Sequence, residues 1–402
     1  MRGRCPRFLF LLFVFLPSLA FGEAVRLDSS TQFLWGDDLL GEDQAVIAEH
    51  LRVGFKPEGK DFSVSGYARA WKDLSGGGVR DNDLLGRLYY LHLDYGITEK
   101  ISARLGRQYV NLTAGSSVID GLSLELRDLG HMGVTVTGGT EVKQSLDSEH
   151  SALGDYFFGM GLSLLKVKNT RFEASYARRY DEWDTAREEF GINARRFFKY
   201  ISPYTELSYD RLSDSVNEAV LGVDITPVPD IFLKAEYYHF YPTFDSTSIY
   251  SVFSADEYRE YLLRAEWDII EPLTLLASYS RQIYADGDDE DAQSFRAGAK
   301  VRPVKRLLLN ANIDRRTGWG GDLWGFEAYG DYSVKKLTAS AGIEHDIYQR
   351  PDDSQDRNAR RYWLGGSWQL RKNISVSARL EENINENFKH RTLGRMALNW
   401  SL

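Results

Sequence analysis

The chain has a single cysteine, Cys5, in 402 residues. Everything beyond the extreme N-terminus is therefore free of thiols. That excludes a disulfide-stapled fold, a thiolate metal site, a lipid anchor on cysteine and covalent haem attachment. Histidine is scarce too: His50, His92, His131, His150, His239, His345 and His390 contain no pair at metal-ligand spacing. No apolar run after Leu16 approaches the about 20 residues that cross a bilayer as a helix. Helical periodicity is missing as well, since no fifteen-residue stretch keeps an i, i+3, i+4, i+7 stripe. Basic residues are outnumbered, 49 Lys and Arg against 58 Asp and Glu, for a net charge of −9. Such a surface argues against a nucleic-acid partner.

What is present is alternation. From about Gly22 to Leu402, runs of about ten residues alternate apolar with polar, separated by turns. In the clearest copy, Leu307, Leu309, Ala311 and Ile313 alternate with Leu308, Asn310, Asn312 and Asp314. Trp324, Phe326, Ala328 and Tyr332 follow as a second stripe, and Leu337, Ala339, Ala341 and Ile343 as a third. A period of two means strands with unlike faces. Here the polar face carries full charges in mid-strand, which suits a solvated sheet face or a closed barrel with water inside and lipid outside.

The two chain ends and the turns favour the barrel. Arg2, Arg4 and Arg7 precede the apolar run Phe8–Leu16, and Ala20-Phe21-Gly22 supplies the small residues of a cleavage site. Residues 1–22 read as a secretory signal peptide and 23–402 as one barrel domain. Connections alternate in length. Short ones fall near Pro57-Gly59, Thr98-Lys100, Lys168-Thr170, Tyr200-Ile201, Pro227-Asp230, Glu271-Pro272, Pro303-Lys305, Val334-Lys336 and Arg371-Asn373. Long ones fall near Gly36-Glu42, Lys72-Asn82, Gly138-Gly154, Asp181-Thr185, Phe244-Glu257, Asp286-Asp291, Gly318-Asp322, Arg350-Asn358 and Asn385-His390. The prolines avoid predicted strand interiors, where a missing N–H would break the ladder. The expectation is an all-β, antiparallel up-and-down barrel of about 22 strands (20–22). The count is least certain in Val110–Gly138, where Gly121–Leu126 and Gly133–Thr137 form either a hairpin or one strand and a loop. An even count puts both ends on the side of the short turns. Tyr (23) and Trp (9) are abundant, as interfacial girdles require.

One face is apolar over successive strands: Ile231, Leu233, Ala235 and Tyr237, then Tyr261, Leu263, Ala265 and Trp267, then Leu275, Ala277 and Tyr279. A Lys or Arg at mid-bilayer there costs roughly 2–4 kcal/mol, and the expectation is that this face carries no mid-strand charge. The opposite face carries Lys234, Glu236, Arg264, Glu266, Arg379 and Glu381, with a basic sector of Arg296, Lys300, Arg302 and Arg306. Beside it stands an acidic sector of Glu327, Asp331, Glu344 and Asp346. Two readings stand: a transverse field that selects solutes, or a lattice of ion pairs that solvates the wall.

Motifs for catalysis or cofactors are weak. Asp286–Asp291 is acidic but lacks the spacing of a calcium loop. Gly76-Gly77-Gly78 is followed by neither a helix start nor a Lys-Ser/Thr pair, so it is no phosphate cradle. His239 and His345 fall on the lipid side near strand tops without a serine at matching depth. No metal, cofactor or catalytic residue is expected.

On this pattern the chain resembles Gram-negative outer-membrane β-barrels of the porin type. Leu105-Gly106-Arg107-Gln108 followed by Ile119-Asp120-Gly121-Leu122 is similar to stretches of large porin-like barrels. The final Met396–Leu402 resembles the alternating closing strand of such barrels, although Leu402 stands where an aromatic is usual and Trp400 lies two places before it. The resemblance implies a bacterial outer-membrane location, contact with membrane lipid, no enzyme activity and passive diffusion of small hydrophilic solutes or ions. A loop such as Gly138–Gly154 or Phe244–Glu257 is expected to fold inward as a constriction. A second resemblance is to the barrel of porin–cytochrome conduits, which implies a sheath for a multihaem cytochrome. An outer-membrane enzyme is the remote alternative.

Overall fold

The computed structural model describes residues 24–37, 41–75, 84–144, 149–165, 167–243, 245–247, 257–284, 291–318, 320–350, 353–387 and 389–402. The expected signal peptide, the Gly76–Gly78 run and most of the Asp286–Asp291 run lie outside the described residues.

Successive strands are β1 (Val25–Asp37), β2 (Asp43–Phe55), β3 (Phe62–Asp73), β4 (Leu85–Thr98), β5 (Ile101–Leu112), β6 (Gly115–Leu129) and β7 (Met132–Glu141). A small hairpin, β8 (Lys143–Gln144) and β9 (Glu149–His150), sits in the next connection. Then come β10 (Tyr156–Leu164), β11 (Thr170–Asp181), β12 (Asp184–Arg196), β13 (Ile201–Asp210), β14 (Ser215–Val228), β15 (Ile231–Phe240), β16 (Tyr258–Ile270) and β17 (Leu273–Tyr284). The last are β18 (Ala292–Val304), β19 (Leu307–Thr317), β20 (Leu323–Val334), β21 (Leu337–Arg350), β22 (Asp353–Arg371), β23 (Ile374–Ile384) and β24 (Arg391–Ser401). Apart from the small hairpin, all belong to one 22-stranded sheet with antiparallel neighbours. The sheet closes where β1 pairs with β24, Ser29 opposite Trp400 and Phe33 opposite Met396. Closure pairs the first strand with the last, the condition for strands to cross lipid.

The alternation sets the faces as expected. Leu263, Trp267 and Leu364 stand out from the wall, exposed at 58%, 50% and 64%. The uncertain segment resolves as two strands, β6 and β7, joined at a tight turn where Gly130 takes φ 76°. Some connections differ from expectation. Asp181–Thr185 is a two-residue turn at Glu182 and Trp183, both at positive φ. The stretch 353–358, expected as loop, is the start of β22. Pro203, Pro227 and Pro303 lie within strand ends. Pro227 and Pro303 each sit in an interruption of register, Ile225/Val228 and Val301/Val304, where no ladder bond is asked of them.

The apolar face does carry a mid-strand charge, contrary to expectation. Glu49 is the central residue of β2 and lies opposite Thr31 on the face of Phe33, Leu51 and Leu398. Ser29 and Thr31 donate hydroxyl hydrogen bonds to its two oxygens, at 2.5 and 2.6 Å. These bonds offset part of the cost of a carboxylate facing hydrocarbon.

Candidate functional site

The interior is shaped by the tip of the hairpin β5–β6, which turns inward from the wall. The pairing of β4 with β5 ends at Leu91 opposite Arg107. Above it, β4 pairs only with β3, and β5 only with β6. The departure has a local cause. Gly106 and Gly121 face each other, and Gly106 takes φ 119°, a conformation that L side chains avoid. A Cβ on Gly106 would lie 2.4 Å from the Leu91 carbonyl, and one on Gly121 2.2 Å from that of Gly138. Next to the bend, Arg107 grips Asp120 through two hydrogen bonds of 2.9 Å, a bidentate clamp across the hairpin.

Beyond the bend the tip of the hairpin lies over the inner face of the neighbouring strands β10–β12, while β6 stays paired with β7 from Ile119 to Leu126. Thr113 donates its N–H and its hydroxyl to Glu173 Oε1, both at 3.0 Å. The Ala114 N–H donates to Ser175 Oγ at 2.9 Å. Arg179 Nη2 donates to the Ser116 carbonyl at 3.2 Å. One face of the hairpin packs on the wall: Val110, Ala114 and Ile119 form a buried cluster with Phe157 and Ala177, and Leu112 packs against it. Ile119 is fully buried and Gln108 is 1% exposed, whereas Tyr109 on the other face is 57% exposed. The tip seats only because Gly191 lacks a side chain, since a Cβ there would lie 2.2 Å from the Ala114 nitrogen.

Around the docked tip the wall offers paired charges. Arg179 Nε lies 3.0 Å from Glu141 Oε1, and Arg179 Nη1 lies 3.3 Å from Asp245. Arg187 meets the same Asp245 at 3.2 Å and Glu189 at 3.6 Å. Asn217 Nδ2 donates to Glu189 at 2.7 Å, and Ser117 Oγ to Glu141 at 2.8 Å. A cavity of 260 Å³ opens between this cluster and the tip, and another of 770 Å³ lies against the hairpin near the turn side, reaching Lys60 and Arg127. Both signs of charge thus face narrow water-filled space beside the hairpin, where fields are least screened.

Of the two loops expected to fold inward, residues 145–148, 244 and 248–256 lie outside the described residues. Asp245 does reach the arginines, and Ser246 N–H donates to the Ala186 carbonyl at 2.8 Å, so the start of that loop leans on the cluster. The Gly138–Gly154 segment is pinned at strand tops, with Lys143 bonded to Asp155 and Asp181. Among the described residues the element that turns inward is the tip of a strand pair.

The sequence-predicted lumen charges are distributed as follows. Arg296, Lys300 and Arg302 lie on β18 and Arg306 in the turn before β19, so the basic sector follows one strand rather than several. Arg296 is ion-paired with Asp314 on β19; Lys300, Arg302 and Arg306 are exposed. In the acidic sector Glu327 stands directly opposite Glu344. Glu344 pairs with Arg361, and Glu327 accepts from Asn312 at 3.1 Å. Asp331 faces Leu308, and Asp346 faces Gly325. Lys234–Glu236, Arg264–Glu266 and Arg379–Glu381 are i, i+2 ion pairs along single strands. His239 and His345 occupy the outward side, beside Glu257 and Asn358. Among the described residues no group of three or more His, Asp and Glu is placed to hold a metal ion.

No protein-family model matches this sequence. No curated protein matches it either. Solved structures do match in fold. OccAB2 of Acinetobacter baumannii superposes with TM-score 0.51 at 11% identity, covering 94% of this chain and 97% of that one. The P pilus usher PapC translocation pore gives 0.55 at 10% identity, covering 94% and 99%. OpdK of Pseudomonas aeruginosa, solved with vanillate, gives 0.50 at 10% identity, covering 94% and 99%. The fold is that of Gram-negative outer-membrane β-barrels of the porin type, and the outer membrane is where such a barrel resides.

Proposed function

We propose that the protein is a passive outer-membrane channel for small hydrophilic solutes or ions, and that the inward hairpin β5–β6 sets its cross-section. The docking of Thr113 and Ala114 on the lumen-facing Glu173 and Ser175 of β11, three strands along the wall from β6, carries this reading. A hairpin that occupies the lumen leaves a restricted polar passage, and the charges at its rim then act at close range on anything that passes. Transport of this kind needs positioning and field but no bond-making step.

The alternative sheath around a multihaem cytochrome is the weaker reading, because the hairpin takes up interior that such a partner would need. Planar-bilayer recording separates the two. The purified protein alone should give stable, ion-selective conductance steps. A protein that conducts nothing alone, yet co-purifies with a haem protein, would sink the channel reading.

A further inference from the structure

Where β5 leaves the wall, it leaves a seam. At Leu88, β4 is paired with β3 on one side, while among the described residues its other side meets side chains rather than a strand. There the backbone of Leu88 is met by two side chains, Glu149 and Arg107. Glu149, from β9, accepts the Leu88 N–H at 3.1 Å and an Arg107 Nη1 hydrogen bond at 2.6 Å, and lies 3.8 Å from Arg87 Nε. Arg107 also donates to the Leu88 carbonyl at 3.1 Å. The Arg107 and Glu149 side chains are 16% and 18% exposed, so the group is largely withdrawn from water. Two guanidiniums and a backbone N–H around one carboxylate is the arrangement by which proteins bind a carboxylate ligand.

The surroundings tell which carboxylate. On the outer side of the seam, Leu88 and Leu91 share the stripe that meets lipid, and Leu91 is half exposed. On the inner side stands Trp71, buried with Leu85 packed against it and the Arg87 guanidinium 5.7 Å from its ring. An apolar chain has contacts on both sides, whereas a small hydrated anion gains nothing from a site that borders hydrocarbon. We propose that this seam is a lateral portal through which a long-chain monocarboxylate passes between the lumen and the outer leaflet, and that Glu149 stands in for its head group. The intramolecular carboxylate keeps the portal shut until a competing amphiphile displaces it. This inference does not depend on the hydrophilic route through the lumen.

The test uses the full barrel in lipid nanodiscs. Laurate is titrated against the native protein and against Glu149→Gln, with acetate as the head group without a chain. Removing a tethered competitor should tighten laurate binding by about tenfold or more. Adding Arg107→Gln should abolish the gain, and acetate should bind neither form. Should Glu149→Gln fail to insert, Glu149→Asp keeps the charge but shortens its reach, and should shift laurate binding in the same direction. Dibromostearate should quench Trp71, read as the difference between native protein and Trp71→Phe. Unchanged laurate binding in both Glu149 variants overturns the proposal. So does equal binding of acetate and laurate, which would mean an anion site with no membrane route.

Discussion

A few residues decide where the hairpin goes. Gly106 and Gly121 allow the bend, Arg107 and Asp120 clamp it, and Gly191 gives the tip room. The sequence singles out Gly106-Arg107-Gln108 and Asp120-Gly121-Leu122 as a porin-like stretch, and these prove to be the hinge. What it does not reveal directly is the bend itself, because alternation continues unbroken through it. The signal lies in polarity. Continuing the lipid stripe past Leu105 gives Arg107, Tyr109 and Asn111, while the lumen stripe gives Gln108, Val110 and Leu112. Those are the wrong polarities for a strand that stays in the wall. Gly191→Val should push the tip off its seat, raising single-channel conductance while the protein still runs as a folded barrel on unheated gels. Unaltered conductance would show that the tip tolerates the clash. Glu49 gives a second prediction at this scale. Replacing a lipid-facing mid-strand carboxylate with Leu should stabilise the barrel by about 1 kcal/mol, measured by urea unfolding from lipid vesicles. A loss of stability would mean the bonds to Ser29 and Thr31 outweigh the desolvation.

At the level of elements, the tip of a strand pair turns inward and docks on the wall. Period two reports that a segment is extended with unlike faces, but it says nothing about which neighbour the segment pairs with. Strand identity was therefore legible almost everywhere, and so was the face of each strand away from the bend. The docking of the hairpin tip on the neighbouring wall was not, because it depends on contacts between residues about sixty apart in sequence, such as Thr113 with Glu173 and Ala114 with Ser175. Removing the carboxylate that holds the tip should loosen it. Two hydrogen bonds to a charged group are lost in Glu173→Ala, a cost of about 1.5–3 kcal/mol, or roughly 10–100-fold in the undocked population. Frequent transitions to a higher-conductance level should appear in single-channel traces. A trace as quiet as that of the native protein would mean the apolar cluster alone holds the hairpin.

For the whole molecule, closure of the sheet separates a lipid-facing surface from an interior whose charges are mostly matched by neighbours. Arg296 with Asp314 and Glu344 with Arg361 fit a solvated lattice, as do the i, i+2 pairs. Lys300 and Arg306 are exposed toward the turn side and offer the better test of a selecting field. Reversing both to Glu should move the reversal potential in a salt gradient toward cation preference. An unmoved potential would leave them as wall solvation. The fold as a whole is legible in the sequence, since alternation and turn length are global patterns. The cross-section was not, because it is set by one hairpin.

The most direct measurement is therefore the single-channel conductance of the intact barrel against one in which Gln108–Ile119 is replaced by a tight turn, both checked for folding by gel mobility. The intact protein should conduct in small, stable steps, and the shortened one should conduct several-fold more with weaker ion selectivity. Equal conductance in the two, or silence in both, would contradict an account in which this hairpin sets the channel.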